Sequence, residues 1–366
     1  MRQVLFRIPW DHFSLGGWQI PLFGFGLLLL VWLALGAWTI YDVYLRKDRH
    51  PEDRLDLFAV GMWLATAIAI LQAPVIGPRF APEGLPIFGY GAMLLCALLS
   101  AIWLASRRAA SEGIPPEAIW DLAVWLFIPG ILGARLFYLV QYRSQVYAGV
   151  QTLPEFVWAT INLSEGGIVL YGGLIAGAVA YFVFCALRKI RPLAMADIIT
   201  PSVFVGIGFG RIGCFLNGCC FGDACSLPWA VQFPPASGPF TVLVNRGFLP
   251  PDALMTPPLH PTQLYSAFDG FLIAGLTLWY YRYRRGPGDV FALGLLVSSA
   301  TRFLIEFIRG DEYGQWGTSL TISQWISLGL FATGLLLQGY LAVVHRSGAG
   351  TTAEPIVRYP TSASLP

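Results

Sequence analysis

Three arginines lie inside apolar stretches of this 366-residue chain, each among small residues: Gly133-Ala134-Arg135, Gly210-Arg211-Ile212-Gly213 and Ala300-Thr301-Arg302. Glu306 follows the last by four residues, one helical turn on the same face. A charge at membrane depth costs about 2.5–3.5 kcal/mol even on lenient insertion scales, so such residues face a partner or a wet cavity. Three of them point to a buried anionic ligand. In a membrane the most available anion is a lipid phosphate, and the chemistry this favours is an active site on phospholipid.

The elements that position these residues must themselves be apolar. Hydrophobic residues make up 56% of the chain and charged residues 12%, against roughly 25% charged in soluble domains. Mean hydropathy is +0.62. This is the composition of an integral membrane protein. Runs long enough to span, on the order of 20 residues, occur near 20–44, 55–76, 85–106, 120–140, 167–187, 194–216, 263–281, 289–308 and 322–344. The expected fold class is therefore an all-α polytopic membrane helix bundle of about nine spans.

The basic residues give the expected orientation. After the odd-numbered spans fall Arg46, Lys47, Arg49 and Arg54, then Arg107 and Arg108, then Arg188, Lys189 and Arg191, then Arg282, Arg284 and Arg285, then Arg346 and Arg358. The other side carries only Arg2, Arg7, Arg79, Arg143, Arg246 and Arg309. The positive-inside rule then puts the N-terminus outside and the C-terminus in the cytoplasm. The first run is read as a helix and not a cleaved signal peptide, because a basic cluster follows it directly. The segments Ile20-Pro-Leu-Phe-Gly-Phe-Gly26 and Leu85-Pro-Ile-Phe-Gly-Tyr-Gly91 echo one another. Either a duplicated hairpin or ordinary helix-start chemistry explains them. Residues 1–80 read as a two-span extension ahead of a seven-span core, residues 81–346, with a polar, disordered cytoplasmic tail over 347–366.

The longest loop, residues 216–260, is rich in proline and aromatic residues and is expected to fold over the site. Four of the six cysteines, Cys214, Cys219, Cys220 and Cys225, fall at its start. Zinc favours Cys-x-x-Cys pairs or histidines at fixed offsets. Only His260 lies in the same loop, so no metal and no cofactor is expected. A disulfide fits an outer compartment, with Cys219 or Cys220 to Cys225 favoured; a bond of Cys214 and Cys219 to each other or to Cys225, and a reactive thiol, stay open. Nothing points to nucleic acid.

The segment Gly210-Arg-Ile-Gly-Cys-Phe-Leu-Asn-Gly-Cys-Cys-Phe-Gly222 resembles the signature of the prolipoprotein diacylglyceryl transferases. These membrane enzymes move diacylglycerol from phosphatidylglycerol onto the lipobox cysteine of prolipoproteins. Other segments agree, in the family's order: Gly133-Ala-Arg135; Glu165-Gly-Gly with Tyr171-Gly-Gly-Leu-Ile175; Pro228-Trp-Ala-Val-Gln-Phe-Pro234; His260-Pro-Thr-Gln-Leu-Tyr265; Arg302-Phe-Leu-Ile-Glu-Phe-Ile-Arg309; Gln324-Trp-Ile-Ser327. The resemblance covers about residues 85–340. It implies a seven-span core in the bacterial cytoplasmic (inner) membrane with its site toward the outer face. The implied partners are phosphatidylglycerol, lipobox signal peptides and membrane lipids.

The reaction explains why such residues are wanted. A thiol must attack a glycerol carbon while glycerol phosphate leaves, which needs fixed positive charge and an acceptor for the thiol proton. Arginine stays charged and binds phosphate oxygens bidentately. The resemblance gives Arg211 the phosphate role and puts Arg302 and Glu306 at the reaction site; a tyrosine, with a reference pKa near 10, is a poor base, which leaves Glu306 as the best remaining general base. Tyr171 stands in the catalytic set where the family has histidine. Arg135, Gly172, Gly173, Asn217, Gly222, His260, Gln263 and Tyr265 are implied to bind substrate. Glycines at Gly206, Gly208 and Gly210, with Gly172 and Gly173, also serve close helix approach.

The chain departs from the family pattern at several places. Cys214 replaces asparagine, Cys219 replaces glutamate, Ser298 replaces tyrosine, and Phe88-Gly89 stands where Tyr-Gly is common. Two other readings stay open at this level: an enzyme of the same fold with another acceptor, and a non-catalytic phospholipid-binding or transport protein.

Overall fold

The computed structural model describes residues 3–15, 18–41, 57–162, 167–309, 314–315 and 317–346. The tail 347–366, the basic cluster Arg46–Arg54 and Glu165 lie outside the described residues. The chain forms two compact units, residues 1–92 and 93–366.

The first unit corrects the expectation of an all-α chain. It contains strands β1 (Val4–Ile8), β2 (His12–Leu15), β3 (Trp18–Pro21) and β4 (Leu85–Phe88) around helices α1 (Leu27–Ile40) and α2 (Leu57–Phe80). β1 pairs antiparallel with β4, from Val4 opposite Phe88 to Ile8 opposite Leu85. β2 pairs antiparallel with β3, His12 opposite Pro21 and Leu15 opposite Trp18. These strands are rich in aromatic and branched residues, which suit a pleated surface. α1 and α2 meet where Gly36 lies against the Trp63 ring, and Trp32 stacks on Trp63 with ring centres 6.3 Å apart. α2 continues through Pro74 and Pro78, as apolar membrane helices tolerate.

The second unit is a helix bundle. Its elements are α3 (Gly89–Ser111, which begins in the first unit), α4 (Glu117–Gln141), α5 (Arg143–Val146), α6 (Leu153–Ile161), α7 (Leu170–Leu187), α8 (Pro192–Asn217), α9 (Gly238–Asn245), α10 (Thr262–Tyr280), α11 (Asp289–Glu306) and α12 (Ile322–Arg346). Each of the nine apolar stretches read from the sequence contains a helix, although the first and third begin in β3 and β4. Among the described residues five helices, Val60–Phe80 within α2 and α3, α4, α8 and α12, are long and apolar enough to cross a membrane. Large apolar side chains are exposed along all of them. In water that surface would be untenable, whereas in lipid it is the expected exterior. The protein is a helical membrane protein.

α8 is the centre of the bundle. Its apolar window is 56% buried, against 6% for Val60–Phe80. α8 packs on α7, α10 and α11, α4 on α7, and α11 on α12. Small residues make these contacts close. A Cβ on Gly133 would meet the Gly172 carbonyl oxygen at 2.6 Å, and one on Gly173 would meet that of Gly130 at 3.1 Å. Gly208 lies 2.7 Å, Cβ to ring, from Phe271 of α10. Gly172, Gly173 and Gly208 thus act in packing. Gly206 and Gly210, one turn apart, have nothing within 4 Å of that position.

The polar groups gather at the two ends of the bundle. At one end, Asp197 of α8 is fully buried and accepts hydrogen bonds from the backbone N–H groups of Gly288 and Phe291, both at 2.8 Å. It caps α11 from a neighbouring helix. Glu112 pairs with Arg284 at 2.8 Å, and Asp289 with Arg285 at 3.0 Å. A bond to a charged acceptor contributes about 1.5–3 kcal/mol. Asp197→Ala is therefore expected to lower the thermal unfolding midpoint in detergent markedly, and Asp197→Asn, which keeps one carbonyl acceptor, less so. Equal midpoints for Asp197→Ala and the wild type would remove this capping role.

Candidate active site

The other end of the bundle brings most of the sequence-derived residues together. α8 stops at Gly218, which takes the left-handed conformation (φ +78) that closes a helix. The Gly218 N–H donates to Phe215 O at 3.2 Å and the Cys219 N–H to Cys214 O at 3.1 Å. The chain then runs through Cys220 and Gly222, and two other segments, 260–263 and 308–309, attach there. Thr262 Oγ1 donates to Cys220 O at 2.8 Å, and Gln263 Nε2 donates to Cys219 O at 2.7 Å. Gly222 N–H donates to His260 O at 3.0 Å and bridges Arg309, and Asp223 N–H donates to Ile308 O at 3.0 Å.

Gly222 is a packing residue at this junction. A Cβ there would lie 2.6 Å from Ile308 O, 2.7 Å from His260 Cβ and 2.7 Å from Thr262 Cγ2. Overpacking of this kind costs about 1–3 kcal/mol. Gly222→Ala is expected to force the cysteine turn away from the end of α11, lowering both turnover and thermal midpoint. A fully active variant of unchanged midpoint would rule that out.

Glu306 is the centre of the charged group. Its side chain is fully buried; one oxygen pairs with Arg302 at 2.8 Å and with Arg309 at 3.5 Å. The other accepts from Thr321 Oγ1 at 3.0 Å. Thr321 N–H in turn donates to Gln324 Oε1 at 3.0 Å, and Arg302 donates to Ser323 Oγ at 3.2 Å. Glu306 thus gathers two guanidiniums, Arg302 and Arg309, around one buried carboxylate. Arg309 was not among the residues expected at the site, although it stands three residues after Glu306 on the same face.

Arg211 lies nearly two turns before the end of α8, partly buried. Among the described residues it makes no hydrogen bond and no ion pair. The charges of Arg211 and Arg309 both favour the thiolate form of Cys220. The Cys220 thiol is drawn well below its ordinary range, first by hydrogen bonding with Cys214 and Cys219 and then by these two arginines. His260 Nδ1 is 3.3 Å from Tyr265 Oη, which also accepts from Trp229 Nε1 at 2.8 Å. Gln263 is fully buried, and its Oε1 has no hydrogen-bond partner among the described residues.

The long loop folds over this region as expected. It has a small core of Phe221, Phe233 and Leu259, and Leu259 bridges both Ala224 and Val231. The expected cysteine pairing is not what the structure shows. All six cysteines are free, and Cys219 and Cys220 turn back toward Cys214, while Cys225 is held by its N–H on Pro258 O at 2.9 Å. Asn217 is exposed at the last position of α8.

Arg135, Tyr171, Gly172 and Gly173 belong to the α4–α7 pair instead. Arg135 donates to three backbone carbonyls, those of Ala159 (2.7 Å), Thr160 (2.9 Å) and Gly167 (2.9 Å). It braces the segment that leads into α7. Tyr171 is 46% exposed at the start of α7; among the described residues no hydrogen bond joins it to the Glu306 group. Between the two bundle ends, an apolar crevice of about 520 Å³ is bounded by α7, α8 and α11, with Gly173, Gly177, Val203, Phe204, Leu295 and Ser298 in its lining. Ser298 is one turn from Arg302, so the crevice approaches the charged group.

Fold and site together define a helical membrane protein with a cationic centre at one end of an apolar crevice, an arrangement suited to an amphipathic anion. Residues 79–340 match the family model for prolipoprotein diacylglyceryl transferase, and the chain belongs to that family. It is 35% identical to the phosphatidylglycerol–prolipoprotein diacylglyceryl transferase of Clostridium tetani, over 69% of this chain and 93% of the relative. It is 33% identical to that of Synechococcus elongatus, over 75% of this chain and 90% of the relative. With that of Rhodopirellula baltica it shares 28% identity over 92% of this chain and 88% of the relative. Residues 79–366 are a smaller share of the chain than this, so the last alignment reaches into the first unit.

Proposed function

We propose that this protein transfers the diacylglyceryl group of phosphatidylglycerol to the lipobox cysteine of prolipoproteins. The observation that carries the reading is Arg211, a partly buried guanidinium that makes no hydrogen bond or ion pair among the described residues, at the end of the bundle that also holds Arg302, Glu306 and Arg309. A phosphodiester would complete it. The crevice of α7, α8 and α11 suits acyl chains, leaving the headgroup at Arg211 and Arg302. The unpaired Gln263 Oε1 suits a hydroxyl of the glycerol, since a buried acceptor left unsatisfied costs about 1–3 kcal/mol.

In the reaction the substrate sulfur forms a thioether bond to the glycerol carbon. The carbon–oxygen bond to phosphate breaks, and glycerol phosphate leaves with the electron pair. Arg211 and Arg302 hold the charge that develops on the departing phosphate. Both Glu306 oxygens are engaged, so its role here is to orient Arg302 and Arg309, in place of the general-base role expected from the sequence. The thiol proton passes to His260, the member of the cluster that can take a proton without giving up an ion pair. The charge distribution of the loops supports a site at the outer face of the bacterial cytoplasmic membrane, with about nine spans and the N-terminus outside. The test is transfer of labelled diacylglycerol from phosphatidylglycerol to a lipobox peptide by the purified chain. Labelled peptide is the expected result; a folded, lipid-binding preparation that leaves the peptide unlabelled overturns the proposal.

A further inference from the structure

Three thiols meet where α8 ends. The sulfurs of Cys214, Cys219 and Cys220 all lie within 4.8 Å of one another, in partly buried positions, and none is in a disulfide. The backbone enforces this meeting. A helix closed by a left-handed residue brings the side chain three positions before its cap against the side chain just beyond the closing residue. The same closure ends α3, with Gly113 at φ +76 and Ile114 N–H donating to Ala109 O at 2.9 Å. It also ends α7, with Lys189 at φ +53 and Ile190 N–H donating to Cys185 O at 2.9 Å. At those two ends the paired side chains, Ala109 with Ile114 and Cys185 with Ile190, are buried in one apolar core. At the end of α8 the pair is Cys214 and Cys219. Cys220, itself left-handed at φ +58, supplies the third sulfur.

We propose that Cys214, Cys219 and Cys220 form a three-thiolate site for a soft, thiophilic metal ion of the Cu(I) class. Three sulfurs at about 2.3 Å from one ion stand about 4 Å apart, so the observed trio needs only a small contraction. Its ligand atoms are all sulfur, with no imidazole or carboxylate in the group. Thiolate donors select soft ions such as Cu(I), and a three-sulfur set suits that ion without a fourth ligand. As three metal–sulfur bonds form, each thiol that still carries its proton releases it to solvent, and no electron is transferred. The complex carries two negative charges, which Arg211 and Arg309, the two guanidiniums acting on Cys220, offset.

The site is independent of the transfer reading, and its test uses no activity. The full chain, reduced and desalted without oxygen in detergent, is titrated against the coloured Cu(I)–bicinchoninate complex. One ion withdrawn per chain is expected, with at least a tenfold weaker affinity in Cys219→Ser and none held by Cys219→Ser/Cys220→Ser. Withdrawal of well under one ion by the wild type overturns the proposal. Equal uptake by the double variant, through Cys96, Cys185 or Cys225, does so as well. X-ray absorption of the copper-loaded wild type needs no variant: three sulfurs near 2.3 Å are expected, and nitrogen or oxygen neighbours overturn the assignment.

Discussion

Glu306→Gln is expected to lower transfer by on the order of 10²–10³-fold while the protein still accumulates in the membrane. Glu306 is fully buried between Arg302 and Arg309. Removing one partner of a buried ion group costs about 3–5 kcal/mol, because the remaining charges stay uncompensated. About 1.36 kcal/mol is tenfold in rate, so guanidiniums that lose their fixed aim account for a fall of this size. The variant should also melt earlier than wild type. If Glu306 orients the arginines, the residual activity keeps the wild-type pH profile, and Glu306→Asp restores part of the rate. Loss of the acidic limb of the profile in Glu306→Gln would instead make Glu306 the proton acceptor. Wild-type activity would remove it from the site.

The helices of this chain were legible because membrane spans are long and apolar, and each of the nine runs contains a helix. The strands of the first unit were not, although one signal was present. His12–Leu15 and Trp18–Pro21 are separated by Gly16-Gly17, a two-residue spacing that favours a hairpin, and the hydropathy of the following helix concealed it. Arg302, Glu306 and Arg211 could be read as site residues because a charge inside an apolar run needs a reason. Arg309 lies just past such a run and carried no comparable signal; only its helical spacing from Glu306 marked it. Arg135 looked identical to Arg211 in sequence. Among the described residues it donates to three backbone carbonyls, which no residue type announces. The cysteines were misread for a related reason. Their spacing was matched against Cys225, whereas the geometry follows from Gly218, whose left-handed closure sets Cys214 beside Cys219.

Arg211→Ala should give the opposite pairing of effects from Glu306→Gln: loss of transfer on the order of 10²–10³-fold with no loss of stability. Arg211 makes no hydrogen bond or ion pair among the described residues, so its removal leaves no orphaned partner. Deleting a partly buried charge from a membrane helix also relieves desolvation, and the thermal midpoint should stay level or rise. The rate falls because the donor aimed at the leaving phosphate is gone, and one such donor is worth about 10²–10³-fold in turnover. Arg211→Lys keeps the charge but not the planar pair of N–H groups that matches a phosphate. It should therefore recover affinity for phosphatidylglycerol more than turnover. The decisive readings are turnover and its half-saturating phosphatidylglycerol concentration, taken beside the thermal midpoint for all three proteins. An Arg211→Ala protein that unfolds early would mean that this arginine has a structural partner; one that keeps full turnover would remove the phosphate role. Where a lost side chain abolishes chemistry and leaves the fold at least as stable, the charge was held for a ligand.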